Sequence, residues 1–489
     1  MTWLVPTLVA GPILAAALTL LMGRRLIPQR IVTLATVGSV FVMSAVLLRT
    51  ADTSGPIVVQ LGAWEAPNGI TLIVDRFSAI VLSVSTLMLA AVLLYAIFQL
   101  GKDAVDWWFH TKYLALTSGV VLSLVTGDLF NLFVGFEVML VASYVLLTVR
   151  SGPDEIRATM SYVVINLIAS ALFLVLIAVT YGLFGTVNMA DIASRMHELE
   201  DGTRTALSLL MLAVFGIKAA LFPLFMWLPD SYPTAPTPVT AIFAGLLTKV
   251  GVFVIIRTQT LFFDSGGPST LLLFVAGATM VFGVLGAIAQ NDVKRILSFH
   301  IVSQIGYMIM GLGFLTVAGV AAAILYMSHH IIVKTGLFLV GGVVEREFGT
   351  GALDRTGGLL RSHPVVAAMF LPLAFSLAGL PPFSGFVAKL ALVQEGVGLG
   401  LWAIVGVSLG VSLLTFYSMT KIWGAAFWGE ARESVDRAGI GMLTVVGLVV
   451  AASIGVAALA GPLIELSTRA ASELLDPNIY IDAVLGSSA

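Results

Sequence analysis

Six ionisable side chains lie inside long apolar stretches of this sequence, where such groups are rare. They are Glu137, Lys218, Lys249, His330, Lys334 and Lys389. A charged group at the centre of a membrane helix costs roughly 2.5–3.5 kcal/mol on insertion scales, and residues that bear this cost usually pair with one another and carry protons or ions. We therefore interpret these six residues as candidates for proton translocation.

Glu137 is the one acidic residue deep inside an apolar span, and Lys218 is the first of the deeply placed lysines. A carboxylate beside a buried lysine stabilises the charged form of that lysine. Movement of Glu137 relative to Lys218 would therefore load or release a proton. Two structural alternatives stay open, which are a carboxyl kept neutral by local hydrogen bonds and an ion pair that serves folding alone.

Tyr326, His330 and Lys334 follow one another at intervals of four residues, which places them on one face of a helix. The neighbouring His329 points about 100° away from that face. Neutral imidazole accepts a proton at one nitrogen and donates from the other, so the pattern favours a proton relay over simple packing. His300, in another span, is interpreted mainly as a packing residue. The accessory candidates are Tyr326, His329, His300 and Asp230.

Two proline clusters interrupt apolar stretches, and each has a lysine nearby. Pro223 follows Lys218, whereas Pro381 and Pro382 precede Lys389. Proline removes a helical hydrogen bond, and backbone freed at membrane depth must be lined by protein or water. The clusters predict two broken helices that line hydrated cavities, with an ordinary kink or the end of a span as the alternative.

The composition of the whole chain is that of a membrane protein. Of its 489 residues, 58% are hydrophobic and only 11% are charged, with a mean hydropathy of +1.03, whereas a soluble chain has about 25% charged residues. At about 20 apolar residues per span, the length has room for roughly a dozen or more spans. Fourteen apolar segments can be distinguished along the chain, with only short loops between them and no soluble domain. The sequence therefore predicts an all-α polytopic membrane protein, whose longest loops are 49–72 and 185–204.

Several classes of function are disfavoured by the same totals. A net charge of −2 offers no basic surface for nucleic acid. The absence of cysteine excludes disulfides, thiolate metal ligands and thiol catalysis. The histidines form no ligand cluster, so neither a metal nor a cofactor is predicted, and the chain is not expected to be an enzyme. The apolar run 4–22 is interpreted as the first span and not as a cleaved signal peptide.

A faint internal repeat divides the chain. Tyr162 and the run LFLV at 172–175 recur as Tyr326 and the same run at 337–340, at an offset of 164 or 165 residues. Because five predicted spans separate the copies, the second copy would be inverted in the membrane, as in many transporters. The proline breaks fall in predicted helices 7 and 12. We predict one transmembrane domain over 1–489, a first five-helix repeat at 110–262, an inverted second repeat at 270–428, and an interfacial tail at 462–489.

Loop charges predict the orientation. With the N-terminus outside, thirteen lysines and arginines, among them Lys102 and Arg150, fall in predicted cytoplasmic loops and six fall in outer loops. This asymmetry follows the positive-inside rule. An even number of spans then places both termini outside.

Segments around the buried lysines resemble the antiporter-like subunit family, which respiratory complex I shares with the Mrp-type cation/proton antiporters. The segments that carry the core signature are KAALFPLFMWLPDSY at 218–232, APTPVTA at 235–241 and LLTKVG at 246–251. The segments 130–140 and 378–389 (AGLPPFSGFVAK) extend the resemblance over nearly the whole chain. The segments 136–139, 186–189 and 246–251 look most like the D-type subunits of the Mrp branch. Phe225 departs from the complex I homologues, which more often have histidine there.

The resemblance implies fourteen helices, two inverted five-helix units and a chain of hydrated half-channels. Carried over by position, Glu137 and Lys218 would be the ion pair of the first half-channel, and Lys249 would be the lysine that connects the two halves. His330 and Lys334 would be the central relay. Lys389 would be the lysine of the second half-channel. Tyr326 stands where some relatives have histidine.

The leading hypothesis is therefore a proton-translocating subunit of a multisubunit Na+/H+ antiporter in a bacterial inner membrane. Its partners would be other membrane subunits, the lipid bilayer, protons and Na+, with Li+ or K+ as alternative cations. The alternative is a proton-pumping membrane-arm subunit of complex I or of a membrane-bound hydrogenase. A structural scaffold with vestigial charges is disfavoured by the number of buried lysines.

Overall fold

A computed structural model describes residues 2–99, 107–148, 152–263, 267–430, 432 and 435–486. Lys102 and Arg150 of the loop-charge prediction lie outside these residues. The described chain is almost entirely helical. The helices in chain order are α1 (Leu4–Leu21), α2 (Leu26–Ser54), α3 (Arg76–Gln99), α4 (Phe109–Val125), α5 (Leu129–Leu147), α6 (Pro153–Phe184), α7 (Met189–Arg195), α8 (Asp201–Ala219), α9 (Trp227–Ser231), α10 (Thr237–Ile242), α11 (Thr248–Phe262), α12 (Thr270–Ala289), α13 (Val293–Gly313), α14 (Val317–Phe348), α15 (Leu359–Ser362), α16 (Pro364–Ala378), α17 (Ser384–Gly398), α18 (Trp402–Ile422), α19 (Ile440–Ala458), α20 (Ala460–Leu474) and α21 (Pro477–Leu485).

Most of these helices have the length and composition of membrane spans. Within the described residues, twelve helical segments are long and apolar enough to cross a membrane, and α4 and α16 are shorter apolar helices. The predicted all-α polytopic class is therefore confirmed, whereas the number of fourteen spans stays a prediction.

The centre of the molecule is formed by three segments that are almost completely buried. They are α13, α14 and the continuous segment Thr237–Phe262, which joins α10 to α11 through a π-helical stretch at Phe243–Leu247. A helix that carries polar and ionisable side chains at membrane depth, as these three do, keeps those groups away from lipid by packing among other helices. The neighbouring spans, such as α1, α2 and α6, keep much of their surface exposed, as expected for contact with lipid.

The order and length of the elements repeat along the chain. α6 and α14 each contain 32 residues, and their first residues are 164 positions apart. α5 and α13 begin at the same offset, and an aspartate caps each of them: Asp128 accepts from the Asn131 N–H and Asp292 from the Arg295 N–H. This correspondence favours two related units, and the inversion of the second unit stays a prediction.

Both proline clusters lie at interruptions of an apolar helix. α8 is followed by Ala220 with a left-handed φ of 59°, and α16 is followed by Gly379 with a left-handed φ of 84°. A left-handed residue at this position ends a helix. The non-helical segments that follow contain Pro223 in the first case, and Pro381 and Pro382 in the second.

The two regions expected to be long loops contain regular structure. In the region 49–72, α2 continues to Ser54 and is followed by strand β1 (Ile57–Gln60). This strand pairs antiparallel with β2 (Thr71–Val74), and Ile57 lies opposite Val74. In 185–204, Asn188 caps α7 by accepting from the Ala190 and Asp191 N–H groups. The tail forms α20 and α21, and α20 packs on α14 and α3.

Candidate functional site

Glu137 and Lys218 are linked through a serine. Ser170 on α6 donates its hydroxyl to Glu137 Oε1 on α5, and Lys218 Nζ on α8 donates to Ser170 Oγ across 3.0 Å. Lys218 also donates to the Asn166 carbonyl at 3.3 Å. The Lys218 Nζ lies 5.9 Å from the centre of the Phe136 ring. Among the described residues, Ser170 therefore joins the two charged groups where a direct ion pair was expected.

Sequence reasoning misses Asn166 and Ser170, although the internal repeat carries a signal for them. They stand 164 residues before His330 and Lys334, respectively, and share the interval of four residues. Both side chains are buried in an otherwise apolar helix. The first unit therefore places neutral polar groups where the second unit places ionisable ones.

A small cavity extends from Lys218 towards the π-helical stretch of the central segment. Its volume is about 10 Å³, which is room for about one water molecule. The lining residues are Phe136, Met139, Leu140, Tyr162, Asn166, Lys218, Trp227, Tyr232 and Leu247. The Tyr232 hydroxyl has no hydrogen-bond partner in the described chain. A water in this cavity would have Lys218 and Tyr232 as polar neighbours, and Leu247 is two residues from Lys249.

Lys249 is completely buried next to the π-helical stretch. Its Nζ donates to the Ala244 carbonyl and, across 3.2 Å, to Thr248 Oγ1. A π-helical turn is frequent at functional sites. The same stretch packs closely on α14, because a Cβ added at Gly245 would collide with the Thr335 hydroxyl.

Tyr326, His330 and Lys334 are all buried on α14. The Tyr326 hydroxyl donates to Gln304 Oε1, and Lys334 Nζ donates to the Leu297 carbonyl at 2.8 Å, so both side chains reach α13. The rings of Tyr326 and His330 are stacked with centroids 6.2 Å apart. Neither ring nitrogen of His330 has a hydrogen-bond partner in the described chain. His330 is therefore free to bind a water or to exchange a proton.

Lys389 lies beyond the second helix break. Its Nζ donates to Ser412 Oγ at 3.0 Å and to the carbonyls of Leu377 and Ala378 at 3.1 and 3.3 Å. It also lies 4.4 Å from the centre of the Tyr307 ring, within the range of a cation–π contact. The Tyr307 and Tyr326 rings are 5.4 Å apart, which connects Lys389 to the residues of α14.

The accessory candidates occupy three different places. His329 Nδ1 contacts Ser384 Oγ at 2.8 Å, at the start of α17. His300 Nε2 contacts Ser418 Oγ at 2.5 Å. Asp230 forms an exposed salt bridge with Arg295 at 3.0 Å and is not joined to the buried groups. The two histidines border the central residues, and Asp230 belongs to the surface.

A second group of charges lies where the hairpin, α3, α11 and α20 meet; Asp75 and Arg76 are expected from the sequence to lie near an interface, whereas their partners Arg257 and Glu473 are found only in the structure. Asp75 and Arg257 form a buried salt bridge of 2.5 Å, and Arg76 contacts Glu473 at 2.9 Å. Burial, with the nearby Asp75 as the next cause, raises the pKa of Glu473. Among the described residues, no three His, Asp or Glu side chains come together as metal ligands.

The buried groups form a row of two linked clusters that crosses both units, with Lys249 and Lys334 between them. One cluster joins Glu137 through Ser170 to Lys218 and the small cavity, and the other joins His330 through Tyr326 and Tyr307 to Lys389. Hydroxyl, imidazole and amine groups can all both accept and donate protons in their neutral forms. The row therefore contains the groups that stepwise proton transfer needs.

Comparison with known proteins identifies related chains. Residues 126–415 match the family model described as NADH:quinone oxidoreductase/Mrp antiporter, TM. The D-type subunit of the Na+/H+ antiporter of Alkalihalophilus pseudofirmus is 43% identical over 481 residues, and that of Bacillus subtilis is 36% identical over 485 residues; each alignment covers 97% of both chains. A chain of the Mrp complex from a Dietzia species superposes with a TM-score of 0.93 at 34% identity, covering 99% of this chain and 100% of that one.

Proposed function

The chain belongs to the NADH:quinone oxidoreductase/Mrp antiporter membrane family, and from that membership we propose that it is the proton-translocating subunit of a multisubunit Na+/H+ antiporter. It is a transporter subunit and not an enzyme. The observation that carries the proposal is the row of buried ionisable groups from Glu137 to Lys389, together with relatives that are named as D-type subunits of Na+/H+ antiporters.

Protons move along this row in short steps. Ser170 passes a proton between Lys218 and Glu137, because its hydroxyl already accepts from the first and donates to the second. Water in the cavity beside Lys218 carries the proton towards Lys249. His330 and Lys334 receive it in the centre of the molecule, and Lys389 delivers it to the second side.

Glu137 sets the direction of this transfer. When the carboxylate and the Lys218 ammonium are both near Ser170, each stabilises the charge of the other. When Glu137 moves away, the buried ammonium loses that support and gives up its proton to the next acceptor. The repeated units supply two such half-channels, which are inverted relative to each other and meet at Lys249.

The remaining assignments follow from the same function. The chain lies in a bacterial inner membrane with both termini outside, and its partners are the other membrane subunits of the complex. Na+ is the exchanged cation, with Li+ or K+ as alternatives. Redox-driven proton pumping in a complex I-like assembly is the second candidate, since the family description includes NADH:quinone oxidoreductase; the relatives named above favour the antiporter.

Exchange by membrane vesicles tests the proposal. Vesicles that contain the whole complex are preloaded with a proton gradient, and the proton flux after Na+ addition is followed with a pH-sensitive dye. We expect Glu137→Gln and Lys218→Met each to abolish the Na+-dependent flux in fully assembled complexes. Glu198→Gln, which removes a half-exposed carboxylate of a surface pair, is the control and should leave the flux unchanged.

Two results would contradict the proposal. One is full Na+-dependent flux in the Glu137 and Lys218 variants with normal assembly, which would remove these residues from the path. The other is co-purification of the chain with soluble iron–sulfur subunits, and not with small membrane proteins, which would favour the redox-driven alternative.

A further inference from the structure

Two helices of the second unit, α14 and α17, lie antiparallel along a seam that has a polar contact at each end. At the outer end, Thr316, the cap of α14, donates its hydroxyl to Glu395 Oε1 at 2.6 Å. At the inner end, His329 Nδ1 contacts Ser384 Oγ at 2.8 Å. Residue numbers rise along α14 between these contacts and fall along α17, so the two helices face each other over about three turns.

Small side chains line the outer half of this seam. Ala318, Ala322 and Leu325 follow one another on one face of α14, and Ala391 of α17 lines the same space. The space that they leave is a cavity of about 250 Å³, which has room for several water molecules. The seam is therefore wide enough for water where the small residues meet.

The cavity opens on the side of the molecule that carries the hairpin. Its rim is formed by Glu395, which is half-buried, and by Gln394 of α17 and Thr468 of α20, which are exposed. α20 lies on the hairpin side because its Glu473 contacts Arg76 at the start of α3. An ordered water makes about three hydrogen bonds to polar groups, and the side chains of the rim supply them.

His329 lies at the inner end of the seam, one turn beyond Leu325 on the same face of α14. The ring is buried, and its Nε2 has no hydrogen-bond partner among the described residues. Gly385 leaves that nitrogen uncovered, because a Cβ added there would lie 3.0 Å from it. The rings of His329 and Tyr326 have centroids 5.4 Å apart. His329 therefore stands between the row of buried groups and the cavity.

We propose that this seam is the route by which the row of buried groups exchanges protons with water on the hairpin side. Glu395 is the carboxylate at its mouth, Leu325 is its narrow point, and His329 is the group that exchanges protons with its water. The inference rests on the proposed proton-translocating function and names the residues at one end of the path.

Leu325 controls the access of water to His329. Its buried side chain forms the inner wall of the cavity, and a hydrophobic constriction of this kind excludes water. A change of its rotamer joins the cavity to the imidazole, and the reverse change separates them again.

The proton then crosses the imidazole, which accepts at one nitrogen and releases from the other. A proton that Nε2 takes from water leaves Nδ1 for Ser384 Oγ, and the proton of that hydroxyl passes to Ser376 Oγ at 3.3 Å. Ser376 directly precedes Leu377, whose carbonyl accepts from Lys389. The transfers therefore end beside Lys389, whose neutral amine takes up the last proton, and the reverse order returns a proton to the water.

Cysteine modification tests the water path, because the chain contains no cysteine of its own. Ala322→Cys and Ala391→Cys are introduced singly, and the purified complex is treated with a cationic methanethiosulfonate, which reacts with the thiolate that forms in contact with water. The mass of the subunit reports the modification, and exchange is measured after reconstitution, with and without treatment. We expect both variants to be modified and to lose most of their Na+-dependent proton flux, because the added group fills the seam.

Gly406→Cys is the matched control. Gly406 lies near the start of α18, as Ala322 lies near the start of α14, but it is exposed on the surface of its span with open space around it. It should react at least about tenfold more slowly, because apolar surroundings keep the thiol uncharged. An Ala322→Cys complex that reacts no faster than this control, or that reacts and keeps its full flux, would overturn the inference.

Glu395→Gln tests the mouth, since it keeps an oxygen for the Thr316 hydroxyl and removes the charge. We expect the flux to fall about tenfold in weakly buffered medium and to recover in strongly buffered medium, where small buffer molecules deliver protons to the seam. Glu465→Gln removes an exposed carboxylate of α20 that does not line the cavity, and it should leave the flux unchanged. A loss that strong buffer does not relieve would show that Glu395 only holds the helices together.

His329→Phe tests the inner end of the route. In the Ala322→Cys background it should leave the rate of modification unchanged, because the cavity keeps its water, while the flux before modification falls by more than about tenfold. Full flux in assembled complexes with His329→Phe would remove this histidine from the route.

The outcomes separate this inference from the proposed function. If the unaltered complex shows no Na+-dependent proton flux, the antiport function itself is wrong, and the modification of Ala322→Cys still reports whether water enters the seam. If the unaltered complex exchanges Na+ for protons but Ala322→Cys stays unmodified, only the seam assignment is wrong.

Discussion

Lys218 donates a hydrogen bond to Ser170 across 3.0 Å. The same hydroxyl donates to Glu137, so one serine separates the carboxylate from the ammonium. A hydroxyl that accepts on one side and donates on the other can transfer a proton by a small rotation. Ser170 is therefore expected to control the rate of transfer, in addition to stabilising the pair.

Ser170→Ala should lower the rate of Na+-dependent proton flux by about tenfold, since it leaves Lys218 and Glu137 without their shared partner and a lost buried hydrogen bond costs roughly 1–3 kcal/mol. Ser170→Thr keeps the hydroxyl and should recover most of the rate. The measurement is the initial dye response of vesicles with equal amounts of assembled complex.

The control for this prediction is Ser161→Ala, because Ser161 lies on the same helix but is exposed. It should have the rate of the unaltered complex. Equal rates for Ser170→Ala and Ser161→Ala would mean that Glu137 and Lys218 exchange protons without the serine.

His330→Leu should separate transport from stability. Neither nitrogen of the buried His330 ring has a protein partner in the described chain, so an apolar side chain of similar size removes unsatisfied polar groups. We expect proton flux to fall by more than about tenfold, as for the loss of a proton-transfer group, while the melting temperature of the solubilised complex stays equal or rises. A large loss of thermal stability with unchanged flux would show that the residue serves packing.

Gly379→Ala should destabilise the second helix break. Its φ of 84° is costly for any residue with a Cβ, and an added Cβ would lie 2.6 Å from Lys389 Cδ. The expected loss is about 1–2 kcal/mol from the backbone alone, with a further cost from the displaced lysine. Thermal unfolding of the complex measures the loss, and Gly406→Ala is the control because open space surrounds that position.

Ala220→Gly should have the opposite effect at the first break. Ala220 already has a left-handed φ of 59°, so removal of its Cβ relieves backbone strain of roughly 1 kcal/mol. The melting temperature is expected to rise by a few degrees. A fall in melting temperature would indicate that the Ala220 methyl group contributes more by packing than its backbone costs.

Asp128→Asn should keep the cap of α5 and remove a buried charge. Asp128 accepts from the Asn131 N–H at 2.7 Å, and burial raises the pKa of Asp128. Because the pKa of Asp128 is higher in the folded chain than in the unfolded chain, the contribution of Asp128 to the free energy of unfolding is complete below about pH 3.9, the usual pKa of Asp. This contribution declines as the pH rises through the pKa of the folded chain. Asparagine still accepts the bond, so the variant should melt at or above the temperature of the unaltered complex at about pH 7.

The difference in melting temperature between Asp128→Asn and the unaltered complex should shrink as the pH falls, because protonated Asp128 and asparagine are both neutral. Asp128→Ala, which also loses the cap, should be less stable than Asp128→Asn by about 1 kcal/mol at every pH. A lower melting temperature for Asp128→Asn at neutral pH would mean that the ionised carboxylate stabilises the helix more than its burial costs.

The helical class and both helix breaks could be predicted from residue type alone. Apolar runs of span length define membrane helices, and Pro223 and Pro381 cannot continue a helix. The hairpin at 57–74 could not be predicted in the same way, since its strands are short and gain their stability from pairing and from the helices around them. The sequence therefore predicted a loop there.

The ionisable members of the candidate site were found because charge inside an apolar run is conspicuous. Ser170, Ser412 and Tyr307 were not found, because serine and tyrosine are common in membrane helices and carry no charge. Their importance arises only from the atoms that they contact on other helices.

Residue chemistry and local order along the chain are enough to establish that this protein crosses a membrane, where its helices break and which charged residues it keeps inside. These properties depend on single residues and their near neighbours. Packing between distant helices places a hydroxyl between Lys218 and Glu137, and it sets Lys389 among the terminal carbonyls of α16. The contacts of Ser170 join residues 33 and 48 positions apart, and no local pattern brings such residues within hydrogen-bonding distance.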